Sequence, residues 1–168
     1  DGTATLYVKS LNEHYHSVKG ALTEAKHIYR DCALRHHTTH TGTQPIRLLE
    51  IGFGTGLNAL LTVQWARDNG VKIEYTTIEL YPLAEGIYRE LNYGRLLGDE
   101  ELFLKLHEMD WDVDLQCVTE NFAIRKCKSD IVEWLNSQQS TVDGHRCTMY
   151  NAQCAIDGFV GLNSLLSL

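Results

Sequence analysis

Three glycines at every second position, Gly52, Gly54 and Gly56, leave this chain few folds to choose from. Before them, Leu48, Leu49 and Ile51 form a short apolar run that predicts a buried strand. After them, from Asn58 onward, Ala59, Leu60, Leu61, Val63, Trp65 and Ala66 predict a mostly buried helix. Strand, glycine loop and helix together form the nucleotide-cradling unit of a doubly wound α/β domain. Glycine allows so tight a turn and lets a ligand approach bare backbone. The helix N-terminus behind the loop offers unpaired N–H groups. The dinucleotide fingerprint needs a third glycine after two intervening residues. Counted from Gly54 that position is Leu57, so the spacing for NAD fails.

The pattern present is Glu-x-Gly-x-Gly-x-Gly, with Glu50 ahead of the first glycine. It resembles motif I of class I S-adenosylmethionine (SAM) methyltransferases. A glycine-rich turn of some other α/β protein is the plainer alternative. Ile73 to Glu79 predicts the next strand and ends on a second acidic residue, Glu79. In such folds a carboxylate at that separation meets a ribose diol, and its two acceptor oxygens suit two adjacent hydroxyls.

A chain of 168 residues is long enough for one domain with a sizeable core. Its 43% hydrophobic and 22% charged residues are ordinary for a soluble protein. No apolar run reaches eighteen residues, so no membrane span is expected. The opening Asp1-Gly-Thr-Ala-Thr5 lacks the basic and apolar regions of a signal peptide. Cys32, Cys117, Cys127, Cys147 and Cys154 are odd in number and include no Cys-x-x-Cys pair. They are expected to be reduced thiols of a cytoplasmic protein rather than a disulfide framework or a metal site. The net charge of −7 argues against a generic nucleic-acid binder while leaving room for a local basic patch.

Along the chain, Thr3 to Val8 and Asn12 to His16 alternate loosely about Ser10-Leu11-Asn12, which predicts a small β-hairpin. Leu22, Ala25, Ile28, Tyr29 and Cys32 recur at helical spacing and predict a helix from about Gly20 to Leu34. Residues 36–44 are polar and predict a loop. Pro82 suits the first turn of a helix reaching about Leu91, with Asn92-Tyr93-Gly94 as its end. Glu100 to His107 predicts a short helix, Met109 to Leu115 an irregular segment, and Val118 to Lys126 a third strand. Ser129 or Asp130 would cap a helix over Ile131 to Leu135 that buries Ile131 and Leu135. Cys147 to Ala152 would be a fourth strand, and Ala155 to Leu168 an apolar patch over an exposed edge.

A more specific resemblance rests on several stretches together. They are Asp1-Gly-Thr-Ala-Thr-Leu-Tyr7, Glu13-His-Tyr-His-Ser17, Gly20-Ala21, Glu24-Ala25 and His27, Leu49 to Leu61, and Ile78-Glu-Leu-Tyr-Pro-Leu83. Over residues 1 to about 134 these resemble the MnmC-like methyltransferase domain, which methylates the 5-aminomethyl group of a modified wobble uridine in tRNA. The resemblance implies an α/β, Rossmann-like class I methyltransferase fold, three-layer αβα, with an N-terminal β-hairpin and helix and a shortened sheet. The expected organisation is one domain over residues 1–168. It has an N-terminal hairpin and helix (1–44), a Rossmann-like core (45–152) and a divergent tail (153–168).

The resemblance also implies SAM as cofactor, with contacts at Gly52, Phe53, Gly54, Gly56 and Glu79. Glu50 and Asn58, which bracket the loop, join these as candidate cofactor residues. Asp130, after Lys126-Cys-Lys-Ser129, matches the family's acidic residue near the adenine amine. No metal ligand is implied. Implied partners are tRNA as substrate and an FAD-dependent oxidase, as a further domain or a separate protein. After Val142 the sequence departs from the family. The family places a strand ending in Asp-Ala-Phe there, its aspartate beside the substrate amine, with a proline soon after. This chain has Met149-Tyr-Asn-Ala-Gln153, which puts Asn151 at the aspartate's place as the candidate catalytic residue. An amide takes up no proton at neutral pH, so Asn151 would only orient the amine. Three readings compete: a working SAM-dependent methyltransferase, a truncated SAM-binding remnant or pseudoenzyme, and a Rossmann-like domain for another nucleotide, which the glycine spacing disfavours.

His14 and His16 would share one face of the hairpin and Tyr15 the other. The resemblance places them at the border of the cofactor pocket, against ordinary surface polarity as the plain alternative. His36, His37 and His40 lack a Cys or carboxylate neighbour and are expected in a solvated loop. Trp65 and Trp134 fall at core spacing, Trp111 is left open, and Lys126 and Lys128 are expected to be solvated.

Overall fold

The computed structural model describes residues 2–4, 6–8, 13–14, 20–27, 34 and 45–139. The elements in chain order begin with strands β1 (Tyr7–Val8) and β2 (Glu13–His14) and helix α1 (Ala21–Ala25). Strand β3 (Ile46–Ile51), helix α2 (Leu57–Asn69) and strand β4 (Ile73–Ile78) follow. Next come the helices α3 (Glu85–Tyr88), α4 (Tyr93–Leu97) and α5 (Glu100–Glu108). Strands β5 (Gln116–Thr119) and β6 (Phe122–Cys127) and helix α6 (Ile131–Gln139) complete the set. The expected fourth strand over Cys147 to Ala152, Asn151 within it, and the apolar tail lie outside the described residues, as do His16, His36, His37 and His40.

β1 and β2 pair antiparallel, Tyr7 with His14 and Val8 with Glu13, which is the hairpin expected from the alternation. The main sheet has the order β3-β4-β6-β5. β3, β4 and β6 are parallel, and β5 runs antiparallel to β6 at the edge. This is a Rossmann-like α/β fold, with a four-stranded sheet among the described residues.

Register aligns three rows across the parallel strands. Ile46, Ile73 and Phe122 form the first, and Leu48, Tyr75 and Ile124 the second. Glu50, Thr77 and Lys126 form the third, at the carboxyl end. All nine residues are buried. Because side chains alternate along a strand, one face therefore carries two apolar rows and then a polar one. α2 packs on that face and buries Leu57, Leu60, Leu61, Val63 and Trp65. Each such leucine contributes about 1.5–3 kcal/mol relative to exposure. α2 ends at Gly70, whose φ of 64° forms a left-handed cap.

Several expectations need correction. The stretch Val118 to Lys126 is two strands, because Glu120-Asn121 reverses the chain and sets Thr119 opposite Phe122. The helix expected from Pro82 to Leu91 is only Glu85–Tyr88, and Tyr93–Leu97 forms a helix where an end was expected. Gly94 is there for close packing: a Cβ on it would lie 2.7 Å from the Glu100 Cα and 2.9 Å from the Phe103 Cβ. α6 runs on to Gln139, and Leu135 stays 46% exposed because the helix turns Ile131 and Trp134 inward instead. Trp65 is buried as expected, and Trp134 is half-buried. Lys126, expected in solvent, is fully buried, because it shares the inward phase of Phe122 and Ile124.

Candidate nucleotide-binding site

The glycine loop leaves the carboxyl end of β3, where ligands of open α/β sheets sit. Gly52, Gly54 and Gly56 have φ values of 83°, 52° and 72°. All three are left-handed, so the alternating glycines meet a backbone need that other residues satisfy poorly. The Gly52 N–H donates to the Ile78 carbonyl of β4 at 2.7 Å, and the Gly56 N–H to the Phe53 carbonyl at 2.9 Å. The first helical bond of α2 is Leu60 N–H to Gly56 O, at 3.0 Å. The N–H groups of Leu57, Asn58 and Ala59 thus lack an intrahelical acceptor, the arrangement that favours an anionic or acceptor ligand.

Glu79 follows β4 directly. Its Oε2 accepts the Gly54 N–H at 3.0 Å and its Oε1 the Tyr81 N–H at 2.8 Å. The structure therefore brings together the two features of the sequence that were 25 residues apart. Each carboxylate oxygen keeps a further acceptor position for a hydroxyl.

Glu50 lies deeper, only 3% exposed. Oε1 accepts from the Asn58 amide at 3.1 Å and Oε2 from the Thr77 hydroxyl at 3.1 Å. Burial pushes its carboxyl up to about 7, against hydrogen bonding from Tyr75, Asn58 and Thr77 and with help from the Glu79 charge. Glu50 thus stands behind the loop, tying the start of α2 to β3 and β4.

Phe53 is buried beneath the loop. Its ring meets His107 edge-on at 5.1 Å and Trp111 edge-on at 5.8 Å. The Lys126 ammonium lies 4.4 Å from the Trp111 ring centre and 5.3 Å from that of Phe53. It donates to the carbonyls of Leu106, His107 and Met109 at 2.9, 2.8 and 2.7 Å. Lys126 therefore closes the carboxyl end of α5, where a cation also meets the negative end of the helix dipole. Burial brings its pKa down to about 8, with the Asp110 charge opposing. Trp111 is held here because Asp112, at φ 59°, donates its N–H to the Lys126 carbonyl at 2.8 Å, and its Oδ1 accepts the Lys128 N–H at 2.8 Å.

Asp130 caps α6: Oδ1 accepts the N–H groups of Val132 at 2.8 Å and Glu133 at 3.3 Å. This meets the capping expectation.

His107 and Lys126 are site residues that the sequence reading does not single out as such. For Lys126 the signal was the alternation itself, which sets it in phase with Phe122 and Ile124. For His107 it was a histidine one helical turn from Phe103 on an apolar face. Among the described residues, no group of three or more His, Cys, Asp or Glu side chains is placed to hold a metal, and no helix is long and apolar enough to cross a membrane.

No protein-family model matches the chain, and no curated protein matches it. Among solved structures, the crystal structure of MnmC2 from Aquifex aeolicus is similar, at 22% identity and a TM-score of 0.53. The match covers 83% of this chain and 42% of that one. At this identity the likeness shows a shared Rossmann-like α/β fold, over less than half of the longer protein.

Proposed function

We propose that this chain binds SAM in the glycine loop and is a methyltransferase acting on the 5-aminomethyl group of a tRNA wobble uridine. The observation that carries the reading is the Glu79 carboxylate joined to the Gly54 N–H, with the α2 N-terminus opening beside it. Three left-handed glycines, a first helical turn of unpaired N–H groups and an acidic strand end form a donor and acceptor set that fits a nucleoside with a diol and a charged amino-acid arm. The MnmC2-like fold supports the same reading, as does the sequence resemblance.

SAM supplies an activated methyl group on a sulfonium sulfur, so the protein's share is position and orientation. Glu79 would accept from the ribose hydroxyls, the loop and first-turn N–H groups would face the amino-acid arm, and Asp130 Oδ2 would accept from the adenine amine. Glu50 and Asn58 keep the loop and α2 in register. Asn151 would orient the substrate amine without taking its proton. An oxidase unit acting beforehand on the same nucleoside belongs to this proposal as a partner.

One residue favours a second reading. An amide at position 151, in place of a carboxylate, suits a SAM-binding remnant without transfer activity. Calorimetry with SAM tests the shared part: binding in the parent, weakened in Glu79→Gln. Replacing an acceptor oxygen by an amide donor removes a charge-assisted bond worth about 1.5–3 kcal/mol, roughly 10- to 150-fold in affinity. Methylation of tRNA carrying the 5-aminomethyl group, by the parent and by Asn151→Asp, then separates the readings. Robust turnover by the parent removes the remnant. SAM binding without turnover removes the enzyme.

A further inference from the structure

The glycine loop is held from a helix outside the strand–loop–helix unit. The His107 Nε2 of α5 lies 3.2 Å from the Thr55 carbonyl. A carbonyl only accepts, so the imidazole donates there and carries its proton on Nε2. The ring is fixed on three sides. Tyr88 stacks on it at 4.3 Å and 13°, while Phe53 and Phe103 meet it edge-on at 5.1 and 4.8 Å. Next along the loop, a Cβ at Gly56 would lie 2.8 Å from Nε2. The bare Cα of Gly56 is thus the space into which the imidazole fits.

Thr55 is itself buried, 2% exposed, and is held at its carbonyl by α5.

We propose that His107 is a positioning residue: its neutral imidazole, wedged against Thr55 and Gly56, sets the shape in which the loop receives its cofactor. The cofactor part rests on the function proposed above, and the wedge itself does not. Desolvation supports the neutral form, pushing the His107 pKa down to about 4, with the Lys126 charge adding to the fall and the Thr55 bond opposing it.

Two variants separate wedge from packing. His107→Phe keeps an aromatic ring and loses the donor; His107→Gln keeps an N–H donor at a similar reach. The first readout is amide hydrogen exchange in the cofactor-free protein, comparing Gly54 and Gly56 with Tyr75 in β4. The expected result is loop exchange at least tenfold faster in His107→Phe, β4 exchange little changed, and the loop restored in His107→Gln. Loop and strand speeding up together in proportion, or no change at Gly56, overturns the proposal, as does an Nδ1–H tautomer by nitrogen NMR. The second readout is the SAM dissociation constant, expected to rise about tenfold in His107→Phe and to return within about threefold of the parent in His107→Gln. A parent that binds no SAM defeats the proposed function, and hydrogen exchange then decides the wedge alone. A parent that binds SAM with an unchanged constant in His107→Phe defeats the positioning role alone.

Discussion

Gly56 has two reasons to be glycine, and they are separable. Its φ of 72° is left-handed, which costs other residues about 1–2 kcal/mol. A Cβ would also sit 2.8 Å from His107 Nε2 and 3.2 Å from Phe53 Cζ. Gly70 has a similar φ of 64°, with nothing within 4 Å of its would-be Cβ. Gly70→Ala should therefore lose only the conformational part, about 1–2 kcal/mol. Gly56→Ala should lose that and a further 1–3 kcal/mol or so from overpacking. Urea unfolding of the two variants measures the difference. Equal losses would mean that the ring of His107 yields freely.

At the scale of elements, α5 joins the sheet to the site. Its N-terminal end is tied to α2, where Arg67 pairs with Asp99 at 3.0 Å. Its carboxyl end rests on the Lys126 ammonium from β6, and its last turn carries His107 to the loop. Lys126→Met keeps the length of the side chain but leaves three carbonyls without their donor. The expected destabilisation is about 1–3 kcal/mol for the unsatisfied buried acceptors, read as a lower urea midpoint. The same variant should change the fluorescence of Trp111, which loses its cation. A midpoint equal to the parent's would show that water or backbone movement satisfies those carbonyls.

For the molecule as a whole, two buried groups set opposing trends with pH. The Glu50 carboxyl is raised from its ordinary 4.5 to about 7. Between those values the folded state holds a proton that the unfolded chain has released, so Glu50 makes stability fall as pH rises. His107 is lowered from 6.5 to about 4. Between those values the unfolded chain holds the extra proton, so His107 makes stability rise with pH. From about 4.5 to 6.5 the two contributions oppose. Removing one should expose the other. Glu50→Gln is expected to gain stability with rising pH between 4 and 6.5 more steeply than the parent. His107→Phe is expected to lose stability as pH rises from 4.5 to 7. Urea unfolding across this range checks both, and slopes parallel to the parent's would contradict the burial of the two groups.

The strand–glycine–helix unit and the acidic end of the second strand were legible in the sequence because they are local. Period and glycine spacing are written within a few residues of one another, Glu79 directly ends the next apolar run, and the turning backbone of the loop has one suitable residue type. The same holds for the hairpin of β1 and β2, the helix over Glu100 to His107 and the Asp130 cap. The breaks between Leu83 and Leu97 were not legible. Gly94 has the look of a terminator, while its actual use is contact with a helix further along the chain. Lys126 shows the same limit. Its charge predicts solvent, but the sheet register and the open carbonyls of α5 place it in the interior, where three hydrogen bonds compensate its desolvation. The wedge of His107 depends on residues from the loop, α3 and α5 converging in space. Local sequence therefore determined which backbone could turn at the loop, and tertiary packing decided what holds that turn in place.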